Sequence, residues 1–289
     1  MKVLKKALAL VLLSTLLFCN VVSAAPTTQA NADTQSIQTS YTQDELNQIR
    51  NAHKKVVQQG LATLNTDGTI KVNTNATTLG VDEGIFKEYI ESVENLNDII
   101  KLGVASFNKN FDLKVKSKDE TTKIVYQRDK KMQQTSTRSN NRFDTQTESQ
   151  NISINVSSTL PSLYAFSIAS ANRQVITKYY NSVYLYDPET AYLSAVGYWV
   201  GKVMEGGAWD YKVASGYAPY SKQWTAYTRY GSSTRTSEWF GNYNYGFTGK
   251  FLFSLSTLLA GGDGVSLLFH HTMDDQGDKD DVTQGYNEY

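Results

Sequence analysis

The chain reads as mainly α with a minor β component, an α+β protein in which a mixed helix and strand N-terminal module precedes a helical C-terminal domain. Three observations carry this. Long apolar stripes recur at helical spacing, short stretches between them alternate apolar and polar residues, and all four Trp and 15 of the 19 Tyr lie after residue 178. The last observation divides the chain into two compositional halves, with the boundary near residues 155–160.

The elements follow in order. Residues 1–24 carry three lysines (Lys2, Lys5, Lys6), an apolar run from Ala7 to Phe18 and small residues at Val22-Ser23-Ala24, the three parts of a secretory signal cleaved after Ala24. At about 12 residues the apolar run is too short for a stable bilayer span. Cys19 is the single cysteine and falls inside this signal, so the mature chain is expected to be secreted, extracellular and free of disulfides. That pattern suits a bacterial, Gram-positive exporter better than an endoplasmic reticulum. Residues 25–40 are small and polar and read as a flexible mature N-terminus.

An accessory module is expected over 41–158. Leu46, Ile49, His53, Val56 and Val57 repeat at helical spacing behind the capping box Thr42-x-x-Glu45, which predicts a helix over about 43–59 with His53 as a packed residue. Asn65 to Val72 reads as a turn into a short strand. A second helix, about 82–102, carries Ile85, Tyr89, Val93, Leu96 and Ile100 and ends at Gly103. Residues 111–116 and 151–156 alternate as strands do, while Gln133 to Ser149, almost devoid of apolar side chains, reads as a mobile loop or linker.

From 159 to 289 the chain turns aromatic. A helix from Pro188 to Glu205 leads into an ordered loop, Gly206-Gly207-Ala208-Trp209-Asp210-Tyr211-Lys212. Phe240-Gly241-Asn242-Tyr243-Asn244-Tyr245-Gly246 comes next, followed by Phe247 to Leu259, whose Phe251, Leu252, Leu255, Leu258 and Leu259 predict one central core helix. An acidic end closes the chain.

Charge excludes little by itself. Without the signal, 25 basic residues face 28 acidic ones. Yet residues 109–142 hold ten Lys/Arg and four Asp/Glu, whereas residues 272–289 hold six acidic residues and one Lys. No P-loop, dinucleotide fingerprint, Gly-x-Ser-x-Gly elbow or His-Glu-x-x-His is present, which removes the common enzyme classes.

The candidate chemistry lies in the aromatic blocks. Asp210 and Lys212 are the candidate catalytic residues: a carboxylate that acts as a base or orients substrate, and an ammonium that neutralises charge developing on an anion. The structural alternative is that Trp209 and Tyr211 fill the core while Asp210 and Lys212 face solvent. Asn242 and Asn244 both donate and accept, so with Tyr243, Tyr245, Trp209 and Tyr211 they could hold a base edge, a sugar or a peptide. Alternatively the segment is a helix entry in which the Asn residues cap and the Tyr residues pack. Asp274, Asp275 and Asp278 are candidate substrate contacts. They lack the twelve-residue calcium-loop pattern and read equally as an acidic helix start. His270-His271 have no third ligand nearby. No metal and no cofactor is expected.

These blocks resemble the bacterial polymorphic toxin type 44 domain. The likeness rests on Gly-x-Trp-Asp-Tyr-Lys at 207–212, Phe-Gly-Asn-Tyr-Asn-Tyr-Gly with Thr248-Gly249, Leu259-Ala260-Gly261-Gly262, and the terminal Asp-Asp-x-x-Asp with Val282, Gly285 and Tyr289 in phase. It covers about residues 195–289. The resemblance implies a toxin-like, largely helical domain, an antibacterial effector that attacks nucleic acid of a target cell, and a cognate immunity protein as partner. Gln276-Gly277 stand where the family commonly has a Pro and a basic residue, and His270-His271 fall in no family motif. The competing expectation is a non-enzymatic secreted protein that perturbs membranes or makes peripheral contact with a cell surface, for which an exposed apolar face is required.

Overall fold

A computed structural model describes residues 41–140, 160–261 and 275–289. The signal, the polar N-terminus, the strand expected over 151–156, Asp274 and the two adjacent histidines lie outside the described residues. Within them the fold is mainly helical, with small antiparallel hairpins and one three-stranded sheet. The described chain forms two compact units, one from residues 41–136 with Gln174–Ala208 and one from residues 137–140, 160–173 and Trp209–Tyr289.

In the N-terminal unit, α1 (Gln43–Gln58) starts on the expected capping box, Thr42 and Glu45 each satisfying the other's backbone end. A hairpin of β1 (Ala62–Leu64) and β2 (Ile70–Val72) follows, then a single turn α2 (Ala76–Leu79) and the long α3 (Glu83–Leu102). Leu46, Ile49 and Val56 of α1 and Tyr89, Val93 and Leu96 of α3 are buried, as their spacing predicts. Asn97 on α3 holds β2 like a neighbouring strand, accepting from Ile70 N (2.9 Å) and donating to Ile70 O (2.8 Å). His53 sits among Tyr89, Phe107 and Tyr186, and burial drives its pKa down to about 4.

β3 (Ala105–Phe107) pairs with β4 (Leu113–Val115), and α4 (Lys118–Asn140) comes next. The helix corrects the expected loop over its first part: residues 133–140 are helical. Gln133, Gln134 and Arg138 are good helix formers and prolong a helix already begun at Lys118, for which each added residue needs no new nucleus, so it continues where apolar periodicity gives no signal. α5 (Ala165–Tyr186) and α6 (Pro188–Val203) follow β5 (Ser162–Leu163). Gly197 and Gly201, one turn apart on α6, lie against the α4 backbone; a Cβ on Gly201 would sit 2.8 Å from Thr122 O. Thr122 ties the crossing by donating to Gly197 O (3.1 Å).

The C-terminal unit is built on a sheet that the sequence reading missed. β6 (Gln223–Thr228) pairs in parallel with β5 and antiparallel with β7 (Gly231–Thr236). The alternation of Trp224, Ala226 and Thr228 around an Arg-Tyr-Gly turn was the available signal. α7 (Ser237–Gly249) leaves β7 without a linker, its first turn capped by Thr236 Oγ1 accepting from Trp239 N (3.1 Å).

Two further corrections fall here. Gly241 to Gly246 are the interior of α7, so neither Asn242 nor Asn244 caps it. The single helix expected over Phe247–Leu259 is broken: α7 ends at Gly249, residues 250–254 form turns, and helical structure resumes at 255. Phe247, Phe251, Leu252 and Leu258 are nevertheless buried. The last helix, α8 (Gln276–Glu288), begins at an Asp275 cap that accepts from Asp278 N (2.8 Å).

Candidate functional site

The glycines of the aromatic blocks position the site by letting two helices touch. A Cβ on Gly246 would meet the Val282 carbonyl, and one on Gly285 the Tyr243 carbonyl. The side-chain rows 242/246/250 on α7 and 278/282/286 on α8 lie along each other. Asn242 meets Asp278, Gly246 meets Val282, and the Lys250 ammonium lies 4.7 Å from the Tyr286 ring centroid. Rows four residues apart set side by side are the ridge-into-groove arrangement of closely packed helices.

One end of this crossing is polar. Asn242, buried, donates from Nδ2 to Asp278 Oδ1 at 2.5 Å. One turn further along α8, Asp281 is half-buried. Burial raises its carboxyl pKa to about 6; Arg235 pulls it down, and Asp278, Asp280 and Asp275 push it up. Arg235, at the end of β7, places its guanidinium 5.4 Å from the Trp239 ring centroid, and its buried Nε–H makes no hydrogen bond. Lys212 lies along the adjacent face of α7. Its Cγ is 3.1 Å and its Cε 3.5 Å from where a Cβ on Gly241 would be, so the absence of a side chain there gives the lysine its bed.

Asn242 and Asp278, drawn from two separate motifs, are therefore brought together, and Lys212 packs on Gly241, the residue before Asn242 on α7. Of the remaining candidates, Asp275 also lies at this end, its carboxylate accepting from Asp278 N, while the aromatic candidates and Asn244 are engaged elsewhere. Trp209 and Tyr211 are buried; Tyr211 packs at 4.3 Å on Phe240 and 4.6 Å on Tyr217, and burial pushes its phenol up to about 12. Asn172 donates to both Tyr211 Oη and Asn244 Oδ1, each at 2.9 Å, so Asn244 faces away from Asn242 and is fully buried. Asp210 closes the turn with its backbone carbonyl, which accepts from Val213 N and Ala214 N. Tyr245 donates to Leu258 O at 3.3 Å. Asp275 is the exposed cap of α8.

Tyr243 points to the other end of the crossing, where it donates to Glu288 Oε2 (2.9 Å). Glu288 is only 3% exposed and also accepts from Arg229 N (3.0 Å) and Gln284 Nε2 (2.8 Å). Burial, with the Glu288 carboxylate beside it, holds the Tyr243 phenol far above its usual range.

Sequence reasoning passed over Arg235, Glu288 and Asn172 and did not single out Asp281. Arg235 and Asn172 come from segments with no motif. Asp281 was legible only as part of an acidic run, because its difference from Asp280 is burial, which depends on the partner helix. Among the described residues no three His, Cys, Asp or Glu side chains gather as a metal site, and no helix is long and apolar enough to cross a membrane.

No curated protein and no solved structure matches the chain. Its C-terminal region, residues 198–289, which holds Lys212 and both crossing helices, matches the family model of bacterial toxin 44 (Ntox44).

Proposed function

We propose that the C-terminal region is an antibacterial toxin that cleaves phosphodiester bonds in RNA of a target cell, with Asp281 as the proton-transfer group. The observation that supports this best is the Asn242–Asp278 hydrogen bond beside a half-buried carboxylate raised to about 6 and a nearby guanidinium with an unbonded N–H, with Lys212 packed on Gly241, the residue before Asn242. A carboxylate with a pKa near neutrality both accepts and returns a proton at cellular pH. In this reading Asp281 takes the proton of a ribose 2′-hydroxyl, and the freed oxygen bonds to the adjacent phosphorus. The bond from phosphorus to the 5′-oxygen breaks, water protonates the leaving oxygen, the hydroxide so formed takes back the proton held by Asp281, and a 2′,3′-cyclic phosphate remains. Arg235 and Lys212 neutralise the charge that builds on the non-bridging oxygens, while Asp278 fixes the Asn242 amide toward the substrate. Asp210, two residues from Lys212 on the same turn, is the second carboxylate to test.

The rest of the reading concerns delivery: export through the N-terminal signal to the extracellular space of a Gram-positive bacterium, and neutralisation in the producing cell by an immunity protein. The membrane-perturbing alternative lacks comparable support, since the apolar residues it would use, Phe247, Phe251, Leu252 and Leu258, are buried.

The test is expression of residues 160–289 and of the full chain without its signal inside bacteria, with growth and RNA integrity followed. Asp281→Asn and Lys212→Ala should each lower RNA cleavage by a factor on the order of 10² or more while melting within a few degrees of wild type. Intact RNA with the unaltered protein, or undiminished cleavage by Asp281→Asn, overturns the assignment.

A further inference from the structure

A second surface of the C-terminal unit has chemistry that the cleavage site leaves unused. The β5–β6 register places buried Leu163 beside buried Ala226, so the next residues along, Tyr164 and Tyr227, emerge together on the opposite face of the sheet. Their rings stack at 5.1 Å between centroids and 17° between planes, although Tyr164 is 59% and Tyr227 38% exposed. Across β6 and β7, Ser232 stands opposite Tyr227 and Thr234 opposite Thr225. Tyr230, 78% exposed, stands at the hairpin turn. Beside it opens a cleft of about 430 Å³ lined by Tyr230, Ser232, Ser233, Gln284, Asn287 and Glu288.

Charge identifies what this face is complementary to. Residues 220–236 carry no carboxylate, and Arg229, exposed next to Tyr230 at the hairpin turn, supplies a cation; Arg235, paired with Trp224, lies on the other face of the sheet, and Lys222 is held on Gly216 O. Flat aromatic faces interleaved with cations and hydroxyls are what a nucleic-acid single strand requires: rings for its bases, guanidinium and ammonium for its phosphates, hydroxyls and amides for base edges and sugars. A duplex keeps its bases stacked on one another and offers no free base face to a tyrosine. A neutral glycan would use the rings and hydroxyls but has no need of the Arg229 guanidinium or of a carboxylate-free strand pair. A peptide adding to the open edge of β7 would find Gly231-Ser232-Ser233-Thr234-Arg235-Thr236, with no apolar side chain to anchor it.

We infer that the exposed face of the β5–β6–β7 sheet is a binding surface for single-stranded polynucleotide, whose bases stack on Tyr164, Tyr227 and Tyr230. It deepens the nuclease reading by naming the form of the substrate, and it is tested separately from cleavage. The cleft at the hairpin end takes a base or sugar against Asn287, Ser232 and Ser233. The Glu288 carboxylate, occupied by Tyr243, Arg229 and Gln284, serves as its floor.

The probe is fluorescein-labelled single-stranded DNA of about a dozen nucleotides, which lacks the 2′-hydroxyl on which the proposed cleavage depends. Its binding to the full chain without the signal is followed by anisotropy over a range of salt. Tyr164→Ala and Tyr230→Ala should each weaken binding by about fivefold to a hundredfold, the loss that accompanies removal of one stacked base. Tyr227→Phe should retain binding, the corresponding duplex should bind at least tenfold more weakly, and Arg229→Ala should flatten the salt dependence. Failure to bind the single strand, equal affinity for the duplex, or undiminished binding by both alanine variants overturns the inference, as does salt-independent binding that a neutral chitin oligomer displaces. Loss of cleavage in Asp281→Asn with single-strand binding intact leaves both readings standing. Tyrosine-dependent binding with undiminished cleavage by Asp281→Asn overturns only the nuclease assignment.

Discussion

Gly285→Ala tests the geometry on which the candidate site depends. A Cβ at this position would lie 2.8 Å from the Tyr243 carbonyl carbon and 3.0 Å from Phe247 N, and closer still to the Tyr243 carbonyl oxygen. All three atoms belong to the backbone of α7, so no side-chain rotation relieves the clash and the two helices must separate. Alanine is intrinsically the better helix former by about 1 kcal/mol. Against that, forcing a methyl into a packed contact costs about 1–3 kcal/mol and occasionally more. The high end applies here because separation also loosens Val282 against Gly246 and Tyr243 against Glu288. The net expectation is a loss of about 2 kcal/mol, or roughly 8–16 °C in the melting temperature of a domain of this size. Gly277→Ala is the internal control. It lies on the same helix, and the new methyl would meet only the Asp275 side chain at 3.1 Å, which can move. Its effect should stay within about 1 kcal/mol of zero. Thermal unfolding of both variants by near-ultraviolet circular dichroism, which reads the aromatic C-terminal unit, makes the comparison. Equal melting temperatures for the two variants would refute the close crossing.

Two further outcomes follow from the burial of ionisable groups. Glu288→Ala removes the acceptor shared by Tyr243, Arg229 N and Gln284; leaving buried donors unpaired costs about 1–3 kcal/mol each, so urea unfolding should show a loss of about 3 kcal/mol, and Tyr243→Phe a smaller one. Asp281 and His53 should give opposite pH slopes. Asp281 has a folded pKa of about 6 against an ordinary 3.8, so its contribution is present below pH 3.8 and is lost as pH rises through about 6; Asp281→Asn should abolish that decline. His53 has a folded pKa of about 4 against 6.5, so its contribution is present above pH 6.5 and is lost as pH falls through about 4, a dependence that His53→Phe should flatten.

Where the sequence was read well, the deciding forces were local. The boundaries of α1 and α3 follow from Thr42-x-x-Glu45, from Asp82 at the N-cap of α3 and from Gly103 in the left-handed conformation that ends it. Asn242 and Asp278 were legible as unusual polar residues beside aromatics and acidic neighbours, but nothing local says that they meet. Gly241 and Gly246 were misread for a related reason. Glycine opposes a helix on propensity, so paired glycines flanking polar residues read as brackets around a ligand or as a helix entry rather than as a helix interior. In the fold they lie inside α7, Gly246 because the Val282 carbonyl takes the place of its side chain, and Gly241 because the Lys212 stem does. The reason for each glycine is thus supplied by a residue 36 positions away in one case and 29 in the other. The same dependence separates Asp281 from Asp280. As neighbours in an acidic run they are chemically alike, and only the partner helix decides that one of them is half-buried near Arg235 with its pKa raised. A cluster assembled across a helix crossing is therefore visible in sequence as a set of ingredients, and the carboxylate proposed for proton transfer is set apart from its neighbours by packing alone.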